Sequence, residues 1–382
     1  MEGDTVAASN AKINMEDVAR RAGVSTATVS RALRGLPGVG DRTRERVRQI
    51  ADELSYVVSP EASRLSGGST GRVAVVVPKI HLWFYATMLS NIESVLRQAE
   101  LDVLVYQVDG EEQRNRFFDR LPARRKVDAV VLTALPVPRH EIERLDLMGV
   151  DVVVAGGRIR DYPHVQVDDH AIAVEAVDHL LGLGHRRIAM IRTSDTEGAE
   201  WSSDAERTRG YRDGLVAAGI EPDPELLVTL PLGSHAGAEG MARLLALPEP
   251  PTAVFAYSDE IGLGALRFLQ QSGVAVPEQM SLIGVDGHPT AELFGLTTID
   301  QAVATQGRRT GEMVLDLLHG RQPEQQEVVV ATRLVVRGST AAPRPAGQVS
   351  PPATELPRGA RQVFSLDGDP APDGEAADPH GR

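Results

Sequence analysis

Cysteine is absent from all 382 residues. Disulfides and thiolate metal sites are thereby excluded, and the chain suits a reducing cytoplasm. Aromatic residues are scarce, at 4%, and lysine occurs only at Lys12, Lys79 and Lys126. No run approaches the roughly 20 apolar residues that a membrane span needs. The opening segment, MEGDTVAASNAKINM, carries acids and no apolar core, so it does not read as a secretory signal. Positive charge is short as well, with a net charge of −13. Spread evenly, that balance would argue against nucleic acid. It is not spread evenly. Between Lys12 and Arg48 nine basic residues face four acids, a local balance of +5 that leaves −18 for the remainder. A small basic module is joined to a large acidic body, and a phosphate backbone responds to the local sign.

What is present begins with Ile13 to Leu33, INMEDVARRAGVSTATVSRAL. Asn14 can cap a helix from Met15 to Ala22, with Val18, Ala19 and Ala22 on one face. Gly23 supplies a left-handed turn residue, and Ser25 is a good cap for a second helix whose Val29 and Leu33 point back to the first. Outward on that helix remain Thr26, Ala27, Thr28, Ser30 and Arg31. Short hydroxylated side chains with one arginine suit the floor of a DNA major groove, where bulk must be low. A glycine- and proline-rich loop, RGLPGVG, leads to a third helix from Asp41 to Leu54 with a stripe of Val47, Ile50, Ala51 and Leu54. Arg42, Arg44, Arg46 and Arg48 in its first turns are either phosphate contacts or an ordinary solvated face.

Ser59 and Pro60 then signal a helix too short to stand alone in water, Pro60 to Leu65, before GGST breaks it. Two readings are open. It is a plain linker, or a hinge that orders on DNA and offers Leu65 as a minor-groove wedge. From Arg72 the pattern changes to apolar runs at 73–77, 103–105, 129–132, 152–155, 187–191, 253–256 and 282–285. Helical stretches fall between them, among them Ala86–Ala99, Ala171–Leu183, Ala205–Ala218 and Glu260–Ser272. Repeated strand–helix units indicate a doubly wound α/β body, large enough to divide into two subdomains. The last 40 residues hold eight prolines, five glycines and few aliphatics, which predicts a disordered tail.

Enzyme signatures fail on context. Gly67-Gly68-Ser69-Thr70-Gly71 fits G-x-S-x-G, but a hinge precedes the serine and a strand follows it, the reverse of a nucleophile elbow. Gly262-Leu263-Gly264 meets Arg267 where a dinucleotide fingerprint needs glycine, and it falls within a helix. His140-Glu141 is not followed by the second histidine of a zinc motif. Asp168-Asp169-His170 reads as a strand-to-helix connection with Asp169 as cap. No catalytic set, metal site or cofactor site is expected, and the chain is read as no enzyme.

DVARRAGVSTATVSRAL and TRERVRQIADELSYVVSPEASRL, with the dispersed motifs VDDHAIAVEAVDHLLGLGHRRIAMI, PTAVFAYSDEIGLGALRFLQQSG, VPEQMSLIGVDG and LTTIDQ, give a resemblance over about residues 12–342. The sequence resembles the LacI/GalR family of transcriptional regulators. That resemblance implies a disordered lead (1–11), a small all-α helix-turn-helix headpiece (12–58), and a hinge helix and linker (59–70). An effector-binding and dimerisation domain (71–342) and the tail (343–382) would follow. The domain would be periplasmic-binding-protein-like, its N-subdomain about 71–185 and 302–322 and its C-subdomain about 186–300 and 328–342. The implied function is a cytoplasmic, homodimeric repressor of pseudopalindromic operator DNA. Its small-molecule effector, a sugar or sugar derivative, would lie between the subdomains. A purine- or nucleoside-sensing regulator is the alternative, with a solute-binding protein further off.

Carried over by position, Thr26 and Ala27 face base edges, Arg31 lies near bases or phosphate, and Ser25, Thr28 and Ser30 anchor the helix. Arg34 follows it, in place of the family's usual asparagine, and Leu65 takes the place of an intercalating leucine. Arg207, Asp286 and Ser258 match effector positions, with asparagine more usual at the last. Trp83 and Phe84 could stack on a sugar or base, or sit in the core. Lys79 and Trp83 make the segment after the first strand unusual, and Arg158 lies at a strand end.

Overall fold

The structure, a computed structural model, describes residues 14–33, 35–54, 56, 69–120, 122–124, 126–193 and 202–344. Arg34, Leu65, the hinge, the lead and the tail beyond Arg344 lie outside the described residues.

Three short helices form the N-terminal module: α1 (Met15–Ala22), α2 (Thr26–Leu33) and α3 (Asp41–Glu53). Local chemistry sets their ends. The Asn14 side chain accepts from the amides of Glu16 and Asp17, while Asp17 accepts from the Asn14 amide, a reciprocal cap. Gly23, at φ +68°, closes α1 with its amide and that of Val24 turned back to Arg20 and Ala19. Ser25 Oγ accepts from the Thr28 amide at 3.1 Å and starts α2. Val18, Ala22, Val29, Ala32, Val47 and Ile50 then share one small core. Ala32, rather than Leu33, is the fully buried residue at the end of α2.

Two compact units follow from the contacts: one gathers residues up to His81, 85–165 and 306–328, the other 82–84, 166–305 and 329 onward. The first holds β1 (Arg72–Val77), α4 (Trp83–Gln98, from Tyr85 on), β2 (Asp102–Gln107), α5 (Gly110–Arg120), β3 (Ala129–Thr133), α6 (Arg139–Asp146), β4 (Asp151–Ala155) and β5 (His164–Gln166). Its sheet runs β11-β5-β4-β3-β1-β2, where β11 is Glu327–Val329. The second holds α7 (Asp169–Gly182), β6 (Ile188–Thr193), α8 (Ser203–Ala217), β7 (Leu227–Leu230), α9 (Ser234–Leu245), β8 (Ala253–Ala256), α10 (Asp259–Gln271), β9 (Ser281–Asp286), α11 (Pro289–Leu293) and β10 (Thr297–Asp300). Its sheet runs β12-β10-β9-β8-β6-β7, parallel except for β12 (Arg333–Val335) against β10. Helix α12 (Val303–Leu318) packs on α4, where a side chain on Gly307 would strike Asn91 and the Met88 carbonyl.

Each sheet repeats one strand order, second–first–third–fourth–fifth, and so each is a doubly wound unit. The strand residues alternate as the pleat requires. In the second unit Ile188, Met190, Ala253, Phe255, Ile283 and Val285 meet α7 and α8. Ala189, Ile191, Val254, Ala256 and Leu282 meet α9 and α10 on the other face. Gly264 serves helix packing: a Cβ there would lie 2.0 Å from the Ser234 carbonyl oxygen.

Two sequence expectations need correction. The chain leaves the first unit for α7 at residues 165/166, not near His185, because Ile172, Ala173, Ala176, Val177 and Leu180 bury α7 against the second sheet. Asp168, not Asp169, caps α7 by accepting from the Ala171 amide at 2.9 Å. Asp169 is drawn inward instead, by an arginine.

Candidate functional site

On α2 the polar face stands clear of the core. Ser25, Thr26, Ala27 and Arg31 are exposed, Thr28 and Ser30 are partly covered, and Val29 and Ala32 are buried. Ser25 and Thr28 are also joined by their hydroxyls at 2.9 Å, which ties the helix start together. The four arginines of α3 separate by role. Arg42, Arg46 and Arg48 are exposed, but Arg44 turns back. Its guanidinium donates to the carbonyls of Ala32 (3.3 Å), Leu36 (3.0 Å) and Val39 (3.4 Å), satisfying groups left over where α2 ends. Arg44 therefore fixes the loop behind the polar helix rather than presenting a free charge. A helical pattern alone gives no sign of this.

A second constellation sits at the carboxyl ends of β8, β9 and β10, where open α/β sheets bind ligands. Arg207, from α8, is buried and donates through Nε to Asp169 at 2.8 Å and through a terminal nitrogen to the Tyr257 carbonyl at 2.6 Å. Its guanidinium carbon lies 4.6 Å from the Tyr257 ring centre. Burial disfavours the charge, but Asp169 first and then Tyr257 and Asp286 hold the guanidinium firmly protonated. Asp286 ends β9 with φ +138°, a conformation rare outside glycine, and accepts from the Gln301 side chain at 2.6 Å. Burial and the neighbouring charge of Asp259 push its carboxyl well up.

Ser258 caps α10 by accepting from the Ile261 amide at 3.3 Å, so its hydroxyl oxygen is engaged locally while its hydrogen can still be donated. Beside it the buried Asp259 accepts from the His288 amide at 2.8 Å, and burial lifts its carboxyl to about 7. Glu260 accepts from the Trp83 amide at 3.0 Å. The Trp83 ring lies 4.9 Å from the His288 ring, tilted by 48°. Of the expected effector residues, Trp83, Arg207, Ser258 and Asp286 thus meet in the second unit, with the half-buried Phe84 next to Trp83 in the chain. Lys79, 3.9 Å from Asp109, and the exposed Arg158 belong to the first unit.

Sequence reasoning missed Asp169, Tyr257, Asp259, Gln301 and His288. SDE after an apolar strand looks like any helix start, and His288 reads as part of a turn. A cavity of about 460 Å³ lies elsewhere in the second unit, lined by Leu266, Val274, Val276, Phe294 and neighbouring backbone; it carries no charged side chain. Among the described residues no cluster is suited to hold a metal ion, and no helix is long and apolar enough to cross a membrane.

Comparison with known proteins follows the same division. Residues 14–59 match "Bacterial regulatory proteins, lacI family", and residues 177–340 match "Periplasmic binding protein-like domain". The chain is 32% identical over 332 residues to the HTH-type transcriptional repressor CytR of Escherichia coli strain K12, covering 86% of this chain and 96% of that one. It is similar to the solved transcriptional regulator CelR–cellobiose complex, with a TM-score of 0.64 at 31% identity over 86% of this chain and 100% of that one. The Lac repressor dimer, solved with operator and the anti-inducer ONPF, gives a TM-score of 0.76 over 87% of this chain and 100% of that one. At 24% identity that likeness concerns the fold.

Proposed function

The chain belongs to the lacI family of bacterial transcriptional regulators, and from that premise we propose that it represses transcription by binding operator DNA as a homodimer in the cytoplasm. The observation that carries this reading is the exposed polar face of α2, on a module whose basic residues outnumber its acids. Thr26 and Ala27 meet base edges in the major groove, Arg31 and Arg34 reach bases or phosphate, and Ser25, Thr28 and Ser30 hold the backbone. Two such helices related by a two-fold axis read a pseudopalindromic site. Residues 12–58 act as headpiece, 59–70 as hinge, and Leu65 as the minor-groove wedge. Residues 71–342 bind effector and pair the subunits.

The effector is a sugar or sugar derivative bound at the carboxyl ends of β8 to β10, against Arg207, Asp286 and Trp83. In support, a relative 31% identical over most of the chain was solved with cellobiose, and a nucleoside has no comparable support. The effector acts by differential affinity for two states of the protein that differ in DNA binding. Footprinting on the promoters that flank the coding region tests the reading. Protection of a two-fold symmetric site, altered by a sugar, is expected; no protected site at any of these promoters would overturn it.

A further inference from the structure

Gly287 and His288 link β9 to the short helix α11, which His288 caps, and the sequence assigns this link no role. Asp259 accepts the His288 amide and so ties the link to the start of α10. Gly284 makes this tether fit, since a Cβ there would lie 2.2 Å from an Asp259 carboxylate oxygen. The Thr290 amide donates to His288 Nδ1 at 2.9 Å. Nδ1 is therefore the acceptor nitrogen, and in the neutral ring the hydrogen must reside on Nε2. Burial holds the ring neutral by lowering its pKa, against the opposing charge of Glu260. The half-buried ring faces Trp83, whose amide is bound by Glu260, the residue after Asp259. Two adjacent acids at one helix start thus hold an indole and an imidazole side by side, two residues from the carboxylate of Asp286.

We propose that His288 is an effector-binding residue that presents Nε2–H as a donor to an uncharged, oxygen-rich ligand lying against the Trp83 ring. The assignment rests on the sugar reading of this site and adds a direction to it. Asp286 accepts from the ligand's hydroxyls, whereas His288 donates to a ring or bridging oxygen. Protonation abolishes the arrangement, because a charged imidazole carries hydrogen on Nδ1 as well and must then oppose the Thr290 amide. Glu260 is the charge that bears on the ring, Asp259 holds its backbone amide, and Asp286 lies two residues away. Because protonation sets Nδ1 against the Thr290 amide, the site binds sugar more weakly in acid.

The experiment uses the full-length protein with Trp201→Phe, leaving Trp83 as the one tryptophan. Its emission is followed between about pH 5 and 8 without ligand and then during titration with cellobiose. Imidazolium quenches indole more strongly than imidazole does, so emission should fall in acid with a midpoint below about 6.5, and His288→Gln should abolish that step. Cellobiose affinity should drop roughly tenfold in His288→Ala, one neutral hydrogen bond's worth. It should return to within about threefold in His288→Gln, whose amide can donate, and lose there the part of its pH dependence that His288 carries, leaving the part that belongs to Asp259. Equal cellobiose binding by wild type and His288→Ala, with Asp286→Ala inactive, would overturn the His288 assignment and leave the sugar site standing. No binding by the wild type of cellobiose or of any of a panel of neutral mono- and disaccharides would overturn the sugar reading and this assignment with it. Emission that does not change with pH would refute the Trp83–His288 contact.

Discussion

Replacing Arg207 by methionine should cost the second unit more stability than most single changes. The Arg207 and Asp169 side chains are 4% and 3% exposed, and their pair is closed by a 2.8 Å hydrogen bond. Burial alone pushes the Asp169 carboxyl up. It is the fixed charge of arginine, which does not surrender its proton, that keeps the pair ionised. Taking away the guanidinium leaves a buried carboxylate without a partner, a loss of about 3–5 kcal/mol. The Tyr257 carbonyl loses its donor too, for about 1 kcal/mol more. Against a total of roughly 5–15 kcal/mol for a domain, this is a large share, and the thermal midpoint should fall by about 10 °C. Urea unfolding followed by circular dichroism gives the free energies. The double variant Asp169→Leu/Arg207→Met should recover most of the loss, because apolar residues can replace a buried pair at little cost. Acid should narrow the single variant's deficit. Its Asp169, with a folded-state pKa raised above the unfolded value, is penalised only as pH rises through that interval. An Arg207→Met protein within about 1 kcal/mol of wild type, or a double variant as damaged as the single, would refute this account.

Two further predictions concern the N-terminal part of the chain. Asp128 receives the Thr70 and Gly71 amides at 2.6 Å each and the Ser69 hydroxyl at 2.7 Å, anchoring residues 69–71 to the first unit. Burial opposes its charge, but these donors win and hold the carboxyl below its ordinary value, so the stability it contributes is present above about pH 4 and lost as pH falls through the lowered pKa. Asp128→Asn should erase that acid-limb dependence and hasten proteolysis near residue 70; an unchanged acid limb would count against the anchor. Arg44→Gln should weaken DNA binding by loosening the loop behind α2 while leaving the salt slope of binding unchanged, whereas Arg42→Gln or Arg46→Gln should flatten that slope by about one ion each. Equal slopes for all three variants would return Arg44 to the phosphate-binding set.

The three-helix module was legible because its boundaries are written in single residues: Asn14, Gly23 and Ser25 each perform the capping or turn role their chemistry suggests. The central strands were legible as apolar runs, since both faces of each sheet are covered. Edge strands such as Glu327–Val329 and Arg333–Val335 were not, being three residues long with no buried residue. Helix α4 begins at Trp83 rather than Ala86, because its first turn is aromatic and shows no amphipathic period. At the candidate site Arg207, Ser258 and Asp286 were named from the family resemblance, by position: Asp286 ends a strand, Ser258 starts a helix and Arg207 lies within one. The sequence does not mark which carboxylate an arginine will choose. Asp168 and Asp169 are adjacent and chemically alike, yet one caps a helix in water and the other is buried in an ion pair 38 residues from its partner in sequence. The Arg44 and His288 contacts likewise depend on long-range placement, which no local pattern encodes.

The crossings of the chain between its units bear on how the molecule is made. On the ribosome, β1 to β4 emerge as a nearly complete sheet, but the helix that packs on α4 through Gly307 arrives about 150 residues later. The second sheet waits as well, for the strand at Arg333–Val335. Neither unit can close before synthesis has nearly ended, so the nascent chain holds apolar surface open for most of its translation. Release of a chain stopped near residue 300 would yield two unfinished units and not one finished domain.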